Sequence, residues 1–218
     1  MKIGIIGAGN IGSTLTRRFT AAGHEVAVAN SRGPATLADL AAETGARAVP
    51  LAEAARGADL VVVTIPEKAI PSLPDGVLDG AAPGAVIVDT GNYYPQRDGR
   101  IDAIEAGTTE SRWVSDQLGR PVVKAFNTIQ SQHLLEFGKP AGTPGRIALP
   151  VAGDDPDAKA TVINLIDEIG FDGVDAGTLD ESWRQQPEAP VYGADLDADG
   201  ARRALAEASP ERPASMRG

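Results

Sequence analysis

Short runs of Val, Ile and Leu recur along the chain without alternating polar residues, and Ala-rich stretches separate them. An apolar run of this kind is typical of a strand that helices cover on both faces. The runs that predict strands are 2–7, 25–30, 47–50, 59–66, 85–92, 121–127, 146–154 and 171–179. The stretches that predict helices include 10–23, 34–45, 51–57 and 157–170. This alternation predicts an α/β fold with a doubly wound, mostly parallel sheet.

Charge and composition exclude several classes of protein. The formal net charge is −10, which argues against nucleic acid as a partner because phosphate backbones attract basic surfaces. The chain has no Cys and only two His, so we expect neither a thiolate nucleophile nor a metal site. The apolar run near the N-terminus is too short to span a membrane. We therefore expect a soluble, cytoplasmic protein with a small-molecule or cofactor substrate.

A glycine-rich loop joins the first predicted strand to the first predicted helix. It reads GAGNIG, a G-x-G-x-x-G pattern, and is formed by residues 7–12. In this context the first glycine permits a tight turn, the second admits a pyrophosphate, and the third allows the helix to pack closely on the strand. The alternative is a glycine-rich turn without a ligand. The candidate cofactor-binding residues in the loop are Gly7, Gly9, Asn10, Ile11 and Gly12.

The second predicted strand ends at Asn30, and Ser31 and Arg32 follow it. In dinucleotide-binding folds an Asp or Glu at this place binds the ribose 2′-hydroxyl of NAD, and it would repel a 2′-phosphate. A serine hydroxyl and a guanidinium can instead bind that phosphate. The three residues therefore favour NADP(H) over NAD(H). The alternative is that Arg32 is a solvated loop residue.

Three further strand ends can line the rest of a bound dinucleotide, because ligands of doubly wound folds lie beyond the carboxyl ends of the strands. Asn92 and Asn127 could bind a carboxamide or a second ligand, or could equally cap the segments that follow them. The candidate residues at these ends are Thr64, Ile65, Pro66, Asn92, Ala125 and Asn127.

No catalytic acid–base pair stands out in the sequence, and we assign no catalytic residue. Tyr93 and Tyr94 lie in a segment, 91–99, where Pro95 and Gly99 argue against a helix. They could wall a ring system or cover the core. Lys124 is predicted to extend towards the sheet edge rather than inwards. His133, in a predicted helix, could be an acid or a surface residue.

Several segments together resemble the NADPH-dependent reductases of coenzyme F420, a deazaflavin. They read ANSRGP, DTGNYYPQRDG, VKAFNTI, ALPVAGDD and GFDGVDAG, and the resemblance covers about residues 1–192. The chain also resembles the NADPH-binding oxidoreductase domain of the STEAP metalloreductases. The resemblance implies a Rossmann domain, with NADPH along the strand ends and its 2′-phosphate at Ser31 and Arg32. It also implies a second cofactor stacked near the nicotinamide.

These observations lead to a domain division and to three hypotheses about function. We predict an NADP(H)-binding Rossmann domain over 1–180 and a C-terminal extension over 181–218, partly helical and frayed at its end; a homodimer is plausible. The first hypothesis is an NADP(H)-dependent oxidoreductase that transfers hydride between the nicotinamide and a planar cofactor, coenzyme F420 or a flavin (FMN or FAD). The second is a reductase of a small imine or carbonyl, with Tyr93, Tyr94, Lys124 or His133 as proton donor. The third is a non-catalytic NADP(H) sensor.

Overall fold

A six-stranded, entirely parallel sheet forms the centre of the protein, in a computed structural model that describes all 218 residues. Its strand order is β3-β2-β1-β4-β5-β6. The strands of this sheet are β1 (Lys2–Ile6), β2 (Glu25–Ala29), β3 (Arg47–Ala48), β4 (Leu60–Val63), β5 (Val86–Asp89) and β6 (Val123–Lys124). Successive crossovers run to one side of β1 and then to the other, which confirms the predicted doubly wound Rossmann topology.

A second, two-stranded parallel sheet consists of β7 (Ala148–Val151) and β8 (Asp172–Asp175). It meets the large sheet at an isolated antiparallel bridge between Lys124 and Ala152. The sequence predicted these strands but did not predict that they form a separate sheet.

Eight α-helices surround the two sheets. They are α1 (Asn10–Ala21), α2 (Ala38–Thr44), α3 (Pro95–Asp98), α4 (Asp102–Glu105), α5 (Glu110–Leu118), α6 (Ser131–Glu136), α7 (Pro156–Glu168) and α8 (Ala198–Glu207). The 3₁₀ helices occupy Pro34–Leu37, Leu51–Glu53, Glu67–Ser72, Leu179–Gln185 and Ala214–Met216. None of the helices combines the length and the apolar character that crossing a bilayer requires.

Apolar side chains of the large sheet pack on both of its faces. Ile3 and Ile5 of β1 belong to one core cluster, with α1 and α7, whereas Ile6 belongs to the other. This arrangement explains why the strands lack alternating polar positions. A third, smaller cluster packs α8 against the two-stranded sheet, so the C-terminal extension is seated on the folded body.

The end of the chain differs from the sequence prediction, which described it as frayed. Met216 is buried, and the backbone of Gly218 donates a hydrogen bond to Glu105 Oε1 at 3.0 Å. Arg212 reaches the buried carboxylate of Glu110 at 3.2 Å. The prediction rested on the Pro-rich composition of the segment, and composition does not reveal contacts with residues about a hundred positions earlier.

The segment 91–99 also differs from its prediction, since it contains the short helix α3. Pro95 is the first residue of this helix, where its fixed φ and missing N–H cost nothing. Gly99 ends the helix with a positive φ of 74°. Both residues are therefore boundaries of a helix and not obstacles to one.

Candidate functional site

The carboxyl ends of the parallel strands align in one row. Strand pairing places Ile6 beside Ala29 and Val63, Val63 beside Asp89, and Asp89 beside Lys124. The residues that follow these ends therefore form a continuous edge, with the glycine loop near its middle at the reversal of strand order. Ligands of doubly wound folds bind along such an edge. The structure thus brings the predicted cofactor-binding residues together on one side of the sheet.

The glycine loop has the packing that its pattern predicts. A Cβ on Gly7 would lie 2.3 Å from the backbone oxygen of Thr64, and one on Gly12 would lie 2.0 Å from the oxygen of Gly7. A Cβ on Gly9 would instead meet no atom within 4 Å, so Gly9 faces open space. The first two glycines are therefore required by packing, whereas Gly9 keeps the groove itself clear.

The amino end of α1 lies at this groove and is free of competing groups. No side chain caps the helix and no acidic residue occurs in its first turn. The first backbone N–H that bonds within the helix is that of Ser13, to the oxygen of Gly9 at 2.9 Å. Unpaired amides and the positive end of the helix dipole together favour an anion such as a pyrophosphate. The residues present thus fit the phosphates of a dinucleotide.

The loop after β2 is ordered by Asn30. Its Oδ1 accepts a hydrogen bond from the backbone N–H of Arg32 at 2.9 Å, and its Nδ2 donates to Thr36 Oγ1 at 2.9 Å. Ser31 and Arg32 are exposed, and the guanidinium of Arg32 makes no hydrogen bond or ion pair. No carboxylate occupies the end of the strand. The loop therefore presents a hydroxyl and an unpaired cation beside the glycine loop.

A network of amides joins the ends of β5 and β6. Asn127 Nδ2 donates to Asn92 Oδ1 at 3.0 Å and to the backbone oxygen of Gln185 at 2.6 Å, and Asn92 Nδ2 donates to the oxygen of Asn127 at 3.1 Å. Gln185 Nε2 completes the network by donating a hydrogen bond to Asn127 Oδ1 at 3.0 Å. Asn127 is buried, whereas Asn92 is half-buried. Of the two, Asn92 is therefore the better placed to contact a ligand.

Phe126 provides the turn that carries Asn127 into this network. Its φ of 62° is in the left-handed region, which a bulky residue rarely adopts. The side chain of Phe126 is fully buried in the core. The strain is thus offset by burial of the ring, and it directs the next residue back towards Asn92.

Two tyrosines meet beside the network. The hydroxyls of Tyr94 and Tyr192 form a hydrogen bond, and the guanidinium of Arg97 lies 5.0 Å from the centre of the Tyr94 ring. Burial and the bond to Tyr94 raise the pKa of Tyr192. Tyr93, by contrast, is fully buried in the core, with its hydroxyl 2.9 Å from Glu105 Oε1. Tyr94 and Tyr192 are therefore the aromatic side chains that the strand-end site offers to a ligand.

Lys124 is fully buried, and the prediction that it extends to the sheet edge is wrong. Its Nζ lies 3.1 Å from Asp89 Oδ2 and donates to the backbone oxygen of Gly91 at 2.5 Å. Burial alone would lower the pKa of Lys124, but the carboxylates of Asp89 and Glu110 oppose burial, and the pKa is raised. Ser111 Oγ also donates to Asp89 Oδ2, at 2.6 Å. Lys124 is therefore the buried cation that pairs with Asp89.

His133 makes no hydrogen bond to this network. Its Nδ1 is 2.7 Å from Asp195 Oδ2, and its ring stacks on Phe137 with 4.6 Å between the centroids. It occupies α6, as the sequence predicted, but it belongs to a contact between that helix and the C-terminal extension. The carboxylate of Asp195 is therefore the charged partner of the His133 ring.

A further cleft is bounded by residues of α4 and of the C-terminal extension. It measures about 900 Å³ and is bounded by residues 104–109, 186–190 and 209–213. Its lining is largely polar, with Glu105, Glu188 and Glu211 among the acidic groups. Sites for planar organic ligands are mostly apolar, so volume alone does not make this cleft the acceptor site.

Comparison with known proteins identifies the family. The family model described as NADP oxidoreductase, coenzyme F420-dependent, matches residues 2–93. The solved structure of the hypothetical protein SMa0349 from Sinorhizobium meliloti is 34% identical, with a TM-score of 0.76; the match covers 90% of this chain and 95% of that one. The chain belongs to the coenzyme F420-dependent NADP oxidoreductase family. The glycine loop, β2 and Asn92 of this chain all lie within the matched segment.

Two other relatives are less complete or more distant. The curated protein YjhV of Escherichia coli (strain K12) is 46% identical over 66 residues, which are 30% of this chain and 48% of YjhV, so the match spans about half of that relative. A structure from Arthrobacter sp. FB24, provisionally described as an F420-dependent NADP-reductase, has a TM-score of 0.67 at 24% identity and covers 82% of this chain and 85% of that one. The latter supports the fold alone.

Sequence reasoning missed a buried carboxyl group beside the site. Glu67 follows Pro66 directly after β4, is completely inaccessible to solvent, and has no hydrogen-bond partner for either carboxylate oxygen. Burial, and then the neighbouring carboxylates of Asp89, Glu110 and Asp98, raise its pKa well above the ordinary value of 4.5; Lys124 opposes this shift. Burial without a hydrogen-bond partner or a cation of its own therefore favours the protonated form of Glu67.

This raised pKa predicts how stability changes with pH. A group whose pKa is higher in the folded state than in the unfolded state stabilises the protein while it is protonated. This contribution is complete at a pH below the unfolded-state pKa, and it is lost as the pH rises through the folded-state pKa. Glu67→Gln cannot ionise. From about pH 4.5 upwards, its stability relative to wild type should increase by up to about 1.4 kcal/mol per pH unit. Urea unfolding of both proteins across pH measures this difference.

The exposed Glu136 provides the matched control. Glu136→Gln makes the same chemical change in solvent, so its stability relative to wild type should stay nearly constant with pH. Parallel pH profiles for Glu67→Gln and wild type would show that Glu67 is charged in the folded protein.

Proposed function

We propose that the protein is an NADP(H)-dependent oxidoreductase that transfers hydride between the nicotinamide and a planar redox cofactor, coenzyme F420 or a flavin. The observation that supports this most directly is the unpaired, exposed guanidinium of Arg32 next to Ser31 and beside the glycine loop. Membership of the family supports the reaction class, and the chemistry of the strand-end site supports the kind of partner.

The phosphate end of the proposed site is formed by α1 and the loop after β2. The pyrophosphate would be held by the free amides of Asn10 and Ile11, over the open space that Gly9 leaves. The 2′-phosphate would be bound by Ser31 and Arg32, a forked guanidinium being suited to phosphate oxygens. Because Asn30 already fixes this loop through Arg32 N–H, little ordering is needed when the ligand binds.

The nicotinamide end of the proposed site lies over β4, β5 and β6. Thr64, Ile65 and Pro66 would contact the middle of the dinucleotide, and Asn92 would lie beside its ring. Ala125, also predicted to contact the cofactor, is fully buried and has no surface that a ligand could reach. When bound, NADPH supplies the hydride. The protein's own residues position the ring and shield it from water, which is most of what ring-to-ring transfer requires.

The partner ring would pack against Tyr94 and Tyr192. Both rings are half-buried, their hydroxyls are hydrogen-bonded, and the guanidinium of Arg97 lies over the ring of Tyr94. Aromatic and guanidinium planes are good stacking surfaces for a fused ring system. Tyr192 belongs to the C-terminal extension, so this extension would contribute to the acceptor site.

A second candidate function is supported by the same tyrosine pair. At neutral pH the hydroxyl of Tyr192 carries a proton, and a proton donor is what reduction of an imine or carbonyl requires; its raised pKa makes it a weaker acid than an ordinary tyrosine. Tyr192→Phe separates the two functions. Removal of a general acid should slow imine or carbonyl reduction about 100-fold or more, whereas deazaflavin reduction should change little.

The experiment that tests the proposal is a turnover assay. The protein is mixed with NADPH and oxidised deazaflavin, then with flavin, then with a panel of imines and carbonyls, while absorbance of both chromophores is followed. Turnover with deazaflavin or flavin supports the proposal. Turnover with imines or carbonyls alone supports the second candidate. Tight NADPH binding without any turnover would contradict both and favour a sensor.

Substitutions in the glycine loop distinguish binding from folding. Gly9→Ala places a methyl group in the open groove, so it should weaken NADPH binding about tenfold or more while changing stability by about 1 kcal/mol or less. Gly12→Ala forces a methyl group against Gly7 and should cost about 1–3 kcal/mol of stability. Calorimetric titration and urea unfolding measure the two effects. Equal affinity of Gly9→Ala and wild type would contradict the placement of the pyrophosphate.

A further inference from the structure

Glu67 lies in a cluster of buried charges at the ends of β4, β5 and β6. A Cβ on Gly91 would lie 2.5 Å from Glu67 Oε1 and 3.0 Å from Asp89 Oδ1, so the two carboxyl groups approach the same point of the backbone. The charged groups that face Glu67 from the surrounding elements are Asp89 of β5, Lys124 of β6, Glu110 of α5, and Arg97 and Asp98 of α3.

Each other carboxylate of the cluster has its own cation. Asp89 pairs with Lys124 at 3.1 Å, Glu110 pairs with Arg212 at 3.2 Å, and Asp98 pairs with Arg97 at 2.8 Å. Glu67 has none and makes no hydrogen bond. An unpaired, ionised carboxylate in such a place is strongly disfavoured, so the group keeps its proton unless a new positive charge arrives.

The nicotinamide is the group that would bring such a charge. Glu67 begins the 3₁₀ helix that follows Pro66, and its carboxyl lies under Gly91, the residue before Asn92. The site proposed above places the nicotinamide over these same strand ends. The reduced ring is uncharged and the oxidised ring is a pyridinium cation, so the ring's charge changes beside Glu67 in each turnover.

We propose that Glu67 is the charge-compensating acid of the nicotinamide site, protonated while the reduced ring is bound and ionised when the oxidised ring is bound. This inference rests on the proposed function. It assigns to Glu67 a positioning and electrostatic role, since the buried carboxyl acts on the ring through its charge.

The proposal balances the charges of the reaction. Hydride departs from the dihydronicotinamide with both electrons of its C–H bond, leaving a ring of charge +1, and the acceptor gains charge −1. The O–H bond of Glu67 then breaks, its electron pair stays on the carboxylate, and the proton goes to solvent. The reduced acceptor takes up one proton from solvent. Ring and carboxyl together remain neutral throughout.

Two consequences are measurable without turnover. Binding of NADP⁺ should release up to about one proton per site, whereas binding of NADPH should release none. The affinity for NADP⁺ relative to NADPH should also rise with pH, about tenfold for each unit by which the oxidised ring lowers the pKa of Glu67. Because the two nucleotides have the same phosphates, the comparison isolates the ring.

The test is a calorimetric titration of the whole protein with NADP⁺ and with NADPH, in buffers of different ionisation enthalpy, from about pH 6 to about pH 9. The dependence of the heat on the buffer gives the number of protons released. Wild type and Glu136→Gln should release protons with NADP⁺ alone. Glu67→Gln, which keeps the uncharged state, should release none with either nucleotide.

Each outcome either supports or overturns the proposal. Equal proton release for NADP⁺ and NADPH in wild type, or full release in Glu67→Gln, would overturn it and leave the proposed function standing. If neither nucleotide binds, both the proposal for Glu67 and the proposed function are overturned. If Glu67→Gln fails to fold, infrared difference spectra of wild type provide the second measurement: a protonated-carboxyl band should disappear on addition of NADP⁺ and persist with NADPH.

Discussion

Arg32→Ala should raise the Kd for NADPH about 10- to 100-fold and leave the Kd for NADH nearly unchanged. The guanidinium is exposed, makes no ion pair, and lies where the loop after β2 would meet a 2′-phosphate. A hydrogen bond to a charged group contributes about 1.5–3 kcal/mol, which corresponds to this range of affinity. NADH lacks the 2′-phosphate, so the loss of the guanidinium should not weaken its binding. Titrations of both nucleotides measure the two constants.

Arg203→Ala is the matched control for this substitution. Arg203 is also exposed, but it lies on α8 in the C-terminal extension, so both affinities should stay at the wild-type level. If Arg32→Ala weakened NADPH and NADH equally, the loop would not discriminate between the nucleotides. The preference for NADP(H) would then have no support at this position.

Lys124→Met should destabilise the protein by about 3–5 kcal/mol. The side chain is completely buried and is the cation for Asp89, whose carboxylate would be left unpaired in the core. Removing one partner of a buried ion pair has a cost of this size. Lys68→Met, at an exposed position near the same strand ends, should change stability by only about 0.5 kcal/mol. Urea unfolding measures both.

The double variant Lys124→Met/Asp89→Asn distinguishes the contribution of the ion pair to stability from the contribution of the packing of the Lys124 methylene groups. If the loss of stability comes from the uncompensated carboxylate, the double variant should be destabilised by less than the sum of the two single variants. Strict additivity would show that the two side chains do not interact energetically. Lys124 would then be retained for its bond to the oxygen of Gly91 alone.

The parts of the site that the sequence predicted are those fixed by local pattern. GAGNIG between an apolar run and a helix specifies its own turn, because two of its glycines are needed for packing against Thr64 and against Gly7 itself. The second strand was predicted over 25–30 from its apolar run and spans Glu25–Ala29, so its end was predicted to within one residue. The alternation of strands and helices likewise determined the class of fold.

The parts that the sequence did not predict depend on neighbours distant along the chain. Lys124 becomes a buried cation only because register places it beside Asp89, 35 residues earlier. Tyr94 meets Tyr192 across 98 residues. Glu67 follows a proline in what reads as a polar turn, and its burial depends on β5, β6 and α5 closing around it. No local periodicity carries that information.

The most direct test of the account is a crystal structure of the protein with NADP⁺ at saturating concentration. We predict electron density for the nucleotide along the carboxyl ends of the strands. The pyrophosphate should lie at the amino end of α1, with the 2′-phosphate at Ser31 and Arg32 and the nicotinamide near Asn92. An empty groove, or a nucleotide bound in the cleft beside residues 209–213, would contradict the account.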